Sequence, residues 1–327
     1  MSHTAQPVLV LGANGFVGRQ LVRHLAAAEG LRPVMAARTP PPMTASGIEW
    51  RAFDARDPAA VAAACAGIGY AVNCVAGNGE AMVEATRNLC RAARASGLRR
   101  IVHLSSMAVY GSATGLVDEA RPFDEAARGY ARAKIDSERL MQDFIAAGGD
   151  AVILRPGCIH GPHSEQWTGR IGRLLRQHRI GDLGAAGDGI CNLVPVEDVA
   201  VAIIAALRQP GIGGEAFNLG DPDPGTWNAY FIRFARAIGA TPVSRVSSRW
   251  LRLETMLLAP PLKLLRIAGS RAGLGRHVPD SVARSLRTLW QQEIQLDHRK
   301  ADARLGFVRT PPDLALARAA AWFTAAG

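Results

Sequence analysis

Apolar residues first gather at Pro7–Leu11, a short run closed by a glycine, which is the pattern of a strand buried on both faces. Gly12-Ala13-Asn14-Gly15-Phe16-Val17-Gly18 follows at once. The next stretch, to about Ala28, places Phe16, Val17, Leu21, Val22 and Leu25 on one face of a helix. The alternation continues downstream. Val34–Ala37, Trp50–Phe53, Ala71–Ala76 and Ile101–Ser105 read as the second to fifth strands, and helical patterns intervene at about 58–66, 80–96 and 129–147. Strands alternating with helices predict an α/β chain whose parallel sheet is covered on both faces. Such sheets bind ligands beyond the carboxyl ends of their strands. Gly12, Arg38, Asp54, Ala76 and Ser106 fall at that edge.

The first strand–glycine–helix unit has a specific use. Glycines at 12, 15 and 18 allow a tight turn, close approach of backbone to a pyrophosphate, and close packing of helix on strand. The helix start offers unpaired N–H groups and a positive dipole end to phosphates. The spacing is Gly-x-x-Gly-x-x-Gly rather than the commoner Gly-x-Gly-x-x-Gly. A second constellation is Tyr130-Ala131-Arg132-Ala133-Lys134, in a chain with three lysines and 35 arginines. Residues four apart share a helix face, so Tyr130 and Lys134 are expected to point into one cleft. An ammonium beside a phenol favours the phenolate, so Lys134 is expected to lower the Tyr130 pKa.

With these residues in place, the chain resembles the extended short-chain dehydrogenase/reductase family, which includes nucleotide-sugar epimerases and dehydratases. The resemblance rests on Gly12/Gly15/Gly18, Ser105-Ser106-Met107-Ala108-Val109-Tyr110-Gly111, Tyr130/Lys134, Leu154-Arg155-Pro156-Gly157, Val194–Ala200 and Phe217-Asn218-Leu219-Gly220, in that order. It implies a Rossmann-type doubly wound parallel sheet with a smaller C-terminal substrate-binding lobe. Residues 1–154 and about 190–212 would form the dinucleotide domain; about 155–189 and 213–327 would form the lobe. It also implies roles. Ser106 would hydrogen-bond the reacting oxygen, Tyr130 would move the proton, and Lys134 would assist Tyr130 and hold the nicotinamide ribose. Gly12, Asn14, Gly15, Phe16, Val17 and Gly18 would cradle the cofactor. Ala76 would line it, as would Arg155, Pro156 and Gly157 on the nicotinamide side.

The end of the second strand bears on cofactor choice. An acid about 20 residues past the glycine turn binds a ribose 2′-hydroxyl, whereas an Arg there accepts a 2′-phosphate. Arg38 stands at that place, with Arg19 just after the last glycine. NADP(H) is therefore favoured, with NAD(H) as the alternative. Asp54 is expected at the adenine edge or in the N-cap region of the helix starting near Pro58. For substrate, Ser106, Met107, His160 and Trp167 are the expected contacts, with His163 nearby. The family's nucleotide-sugar members carry an Arg where this chain has Gly189-Ile190-Cys191-Asn192-Leu193.

Composition narrows the classes. The net charge is +10, yet no nucleic-acid motif accompanies it, so nucleic acid is not expected as a partner. Five scattered cysteines suggest neither a metal site nor a disulfide framework. The N-terminus lacks a basic-then-apolar signal pattern, giving a cytoplasmic expectation. Residues 249–277 are apolar and basic, too charged and proline-broken to span a bilayer. They are read as lobe core, dimer contact or peripheral membrane surface. A homodimer through 80–96 and 129–147 would follow the resemblance. Three functions stand: an oxidoreductase interconverting a ketone and a secondary alcohol, a nucleotide-sugar epimerase (dehydration being the poorer branch, since Met107-Ala108 follows Ser106), and a non-catalytic dinucleotide-binding redox sensor or subunit.

Overall fold

The computed structural model describes residues 5–40, 47–258, 261–262, 265 and 280–326. Pro41 and Pro42, and most of 259–277, lie outside the described residues.

Seven strands form one parallel sheet: β1 (Gln6–Leu11), β2 (Leu31–Ala37), β3 (Glu49–Ala52), β4 (Tyr70–Asn73), β5 (Arg100–Leu104), β7 (Ala151–Pro156) and β10 (Ala216–Leu219), in the order β10-β7-β5-β4-β1-β2-β3. The order reverses at β1, which pairs Val10 with Met35 of β2 on one side and Val72 of β4 on the other. A crevice therefore opens past the carboxyl ends of β1 and β4. Alternation with period two sends β1 side chains to both faces. Val8 and Val10 join the core under α1 (Phe16–Ala27) and α6 (Val196–Arg208). Leu9 and Leu11 join the core under α2 (Pro58–Ala64), α3 (Gly79–Ser96) and α4 (Tyr130–Ala146). Asp57, rather than Asp54, caps α2, accepting from the Ala59 and Ala60 N–H groups.

Two short parallel pairs carry the chain out of this sheet. β6 (Gly115–Val117) pairs with β11 (Ile294–Leu296), and β8 (Cys158–His160) pairs with β9 (Leu193–Pro195). Beyond them lies a second core built on α5 (Arg170–Arg176) and α7 (Trp227–Ala237), in which Trp227, Phe231, Phe234 and Trp290 are fully buried. The expected lobe boundary at 213 shifts. β10 completes the large sheet beside β7, because Phe217 and Leu219 bury into the nucleotide-side core. Ala301 and Leu305 of a later helix, Arg299–Leu305, return to that same core.

Candidate active site

The glycine turn is closed by backbone contacts that side chains would break. Gly12 sits at φ +76°, where a Cβ would stand 2.8 Å from the Cys74 carbonyl oxygen. A Cβ on Gly18 would stand 2.3 Å from the Gly12 carbonyl oxygen, so α1 can lie this close to β1 only with glycine there. Gly15 is the N-cap of α1, no side chain caps it, and no acid occupies the first turn. Its leading N–H groups are thus left for an anion. Asn14 donates from Nδ2 to the Thr39 carbonyl at 2.8 Å, tying the turn to the loop that carries Arg38, while its buried Oδ1 has no partner among the described residues. Gly12, Asn14, Gly15, Phe16, Val17, Arg19, Arg38, Asp54 and Ala76 all line one cleft of about 1950 Å³. Gly18 lies behind it as the packing glycine. At this same end, just past β3, Arg56 holds Asp54 at 2.6 Å and draws its carboxyl down to about 2.

Ser106, Tyr130 and Lys134 meet on the cleft floor. β5 ends at Leu104, and Ser106 starts the turn Met107–Tyr110, its Oγ accepting from the Ala108 N–H at 3.2 Å. Tyr130 opens α4, and its phenol neighbours the Ser106 hydroxyl. One turn on, Lys134 is buried, donates from Nζ to the Leu104 carbonyl at 2.7 Å, and lies 5.8 Å from the centroid of the Tyr130 ring. Burial lowers the Lys134 pKa to about 8, with Cys74 and Glu138 pulling the other way. Desolvation by the protein around the half-exposed Tyr130 raises its pKa, and the neighbouring Ser106 hydroxyl only partly offsets it. The expected lowering of Tyr130 by Lys134 is therefore corrected: desolvation dominates, and the Lys134 ammonium is directed at the Leu104 carbonyl.

Arg155 is also corrected. Pro156 and Gly157 line the cleft, but the Arg155 guanidinium turns inward beneath it. It reaches Glu138 at 2.7 Å and donates to the Tyr110 hydroxyl at 2.9 Å and the Glu119 carbonyl at 3.0 Å. Ser105 donates to the same Glu138 carboxylate, and the Tyr110 hydroxyl donates to Asn218 Oδ1 at 2.7 Å. Glu138 thereby links α4, β5 and β7 below the floor. The sequence reading missed it. The available signal was its place four residues beyond Lys134, on the same helix face.

The other end of the cleft is mixed. Met107, Ile159, Trp167, Leu286 and Leu289 give it an apolar side, interleaved with Asp124, His163, Ser164, Glu165, Gln166, Ser285, Thr288 and Gln292. His160 is corrected as a substrate contact. It is buried behind this wall, faces a separate cavity of about 550 Å³, and burial pushes its pKa down to about 4. The cleft arginines are Arg19, Arg38 and Arg56, all at the glycine-turn end. On α5, Arg173 pairs with Asp280 and Arg176 stacks on Phe323 at 4.5 Å. Among the described residues, none of the His, Cys, Asp and Glu side chains cluster as metal ligands, and all five cysteines are buried thiols.

Comparison with known proteins agrees with this geometry. The model of the NAD dependent epimerase/dehydratase family matches residues 8–220. The 2-alkyl-3-oxoalkanoate reductase of Stenotrophomonas maltophilia is 28% identical over 74% of this chain and 78% of its own length. Sterol demethylase protein B of Methylococcus capsulatus is 27% identical over 98% of each chain. The solved UDP-glucuronic acid 4-epimerase of Bacillus cereus in complex with NAD has a TM-score of 0.72 at 18% identity, covering 98% of this chain and 99% of its own, a likeness of fold.

Proposed function

The chain belongs to the NAD dependent epimerase/dehydratase family, within the extended short-chain dehydrogenases/reductases, and on that premise we propose that it interconverts a ketone and a secondary alcohol. The observation that carries this reading is the convergence of Ser106, Tyr130 and Lys134 in one cleft that also takes in the glycine turn.

The uncapped start of α1 and the Cβ-free turn fit a dinucleotide. Gly12, Gly15, Phe16 and Val17 would hold its pyrophosphate, and Asp54 would face its adenine end. Ala76, Lys134, Pro156 and Gly157 would line its nicotinamide half. When bound, the nicotinamide supplies or accepts the hydride. Ser106 would hold the substrate oxygen by a hydrogen bond. A phenol, whose ordinary pKa is about 10, keeps its proton at neutral pH, so Tyr130 suits a donor to the oxygen of a ketone as that oxygen gains charge. The Lys134 ammonium, anchored on the Leu104 carbonyl, would stabilise the resulting phenolate and offer its remaining N–H bonds to a ribose hydroxyl. Arg38, with Arg19, would accept a 2′-phosphate, so the cofactor assigned is NADP(H) in preference to NAD(H).

A family relative named as a reductase of an alkyl-oxoalkanoate supports a keto substrate. Epimerisation of a nucleotide-linked sugar is the second reading, favoured by the family description. Against it, among the described residues the substrate end of the cleft carries no arginine for a substrate diphosphate. The test is to assay purified protein with NADPH or NADH against alkyl ketones and 3-oxo acid esters, in parallel with nucleotide sugars. Ketone-dependent oxidation of NADPH, lost in Tyr130→Phe, is the expected result. Tightly retained NAD with turnover of a nucleotide sugar alone would overturn the reading.

A further inference from the structure

Helix α8 (Ser248–Leu253) and the wider turn that continues it, Glu254–Leu258, leave most of their large apolar side chains outside the core. A surface helix normally turns its apolar stripe to the core and its polar residues to water. Here Glu254 and Thr255 are buried together with Leu251, and Glu254 is locked to Arg179. The outward side carries Trp250, Leu253, Met256 and Leu257, exposed by 50%, 51%, 64% and 64%. Trp250, Leu253 and Leu257 recur at intervals of three and four, so they form one stripe. Arg249 and Arg252 stand exposed beside it, and the stretch's one acid, Glu254, is buried and paired. The helix is held to the lobe through Leu251, and the turn after it through Glu254 and Thr255; the outward side presents aromatic and aliphatic surface rimmed by positive charge.

We propose that this face docks the protein on an anionic lipid bilayer. Indole and leucine side chains suit the interfacial depth of a membrane, and flanking guanidinium groups suit its negative headgroups. The chain's net charge of +10 adds long-range attraction of the same sign. Location supports the assignment. The turn Glu254–Leu258 packs against the helix Arg284–Leu289, whose Leu286 and Leu289 line the apolar side of the cleft. A bilayer seated here would lie beside the mouth through which substrate enters. Docking itself needs neither cofactor nor turnover, so its test is independent of the hydride-transfer reading.

The test uses the full chain in flotation with vesicles of phosphatidylcholine, and of phosphatidylcholine mixed with phosphatidylglycerol. The expected result is co-flotation with the anionic vesicles, weakened about tenfold or more in Trp250→Ala/Leu257→Ala and by a similar factor in Arg249→Gln/Arg252→Gln. Brominated acyl chains should quench the wild-type fluorescence, and Trp250→Phe should float normally but lose most of that quenching. Failure to float with anionic vesicles would overturn the proposal, as would flotation unaffected by the variants or quenching unchanged in Trp250→Phe. A wild-type dimer that Trp250→Ala/Leu257→Ala converts to monomer, without vesicle binding, would reassign the face to a second copy of this chain.

Discussion

Glu138 and Arg155 meet at 2.7 Å directly beneath the Ser106–Tyr130 floor, their side chains 0% and 4% exposed. The carboxylate more than offsets the burial of the guanidinium and holds Arg155 charged. Removing one partner strands the other's charge in the interior. Glu138→Ala should therefore cost about 3–5 kcal/mol in urea unfolding. Glu138→Gln, which keeps the shape and some hydrogen bonds, should cost less. A loss below about 1 kcal/mol in Glu138→Ala would mean water reaches Arg155 freely.

Tyr130→Phe removes the proton donor and leaves the ring in place. Ketone reduction should fall by about 10²-fold or more in kcat, while dinucleotide affinity, read by fluorescence titration, changes little. Ser106→Ala removes the neighbour of the phenol and the partner of the substrate oxygen, so it should lower kcat by a comparable factor. Wild-type turnover in either variant would remove that residue from the chemistry.

Lys134 gives a signed pH dependence. Its pKa is about 8 in the fold, below the ordinary lysine value of 10.5. Between these values the unfolded chain binds a proton that the native state does not. This group therefore penalises the fold fully below pH 8 and relieves the penalty as pH rises towards 10.5, on the order of 3 kcal/mol. Activity should move oppositely, falling above about pH 8 as the ammonium beside Tyr130 is lost. Lys134→Met should be nearly inactive and lack this rise in stability, measured by urea unfolding across the same pH range.

Arg38 lines the glycine-turn end of the cleft beside Arg19. Arg38→Ala should weaken NADPH about tenfold to a hundredfold and leave NADH nearly unchanged, since only the former carries the 2′-phosphate. Calorimetric titration of both nucleotides checks this. Equal weakening of both would assign Arg38 to a feature the two share.

Gly18→Ala tests the closeness of α1 to β1. Its Cβ would meet the Gly12 carbonyl at 2.3 Å and Ala13 Cα at 2.8 Å, and both are backbone. Displacing the turn should cost about 1–3 kcal/mol and lower dinucleotide affinity. Retained affinity with an unchanged melting temperature would show that the turn relaxes at no cost.

Much of this was written locally. The alternation of Val8 and Val10 with Leu9 and Leu11 marked a strand buried on both faces, and β1 sends those pairs into different cores. The four-residue interval from Tyr130 to Lys134 placed both on one helix face, and the fold brings Ser106 to them from the end of β5. These features depend on backbone geometry and side-chain period, which neighbouring residues set by themselves.

What the sequence left open concerns groups whose partners come from far along the chain. Arg155 follows a strand end and was expected at the nicotinamide; Glu138 and Tyr110, 17 and 45 residues away, turn it inward. His160 stood two residues past the Cys158 that lines the cleft, but it packs edge-on against Tyr230 and faces the separate cavity instead. Whether the α8 stretch was lobe core, dimer contact or membrane surface stayed open in the sequence, and only the lobe shows which side Arg179 claims. The sequence by itself determined the elements and the residues they share a face with. Only the tertiary structure decided which charges are desolvated and which side chains reach the cleft, because burial and ion pairing arise between segments that meet only when the chain is folded.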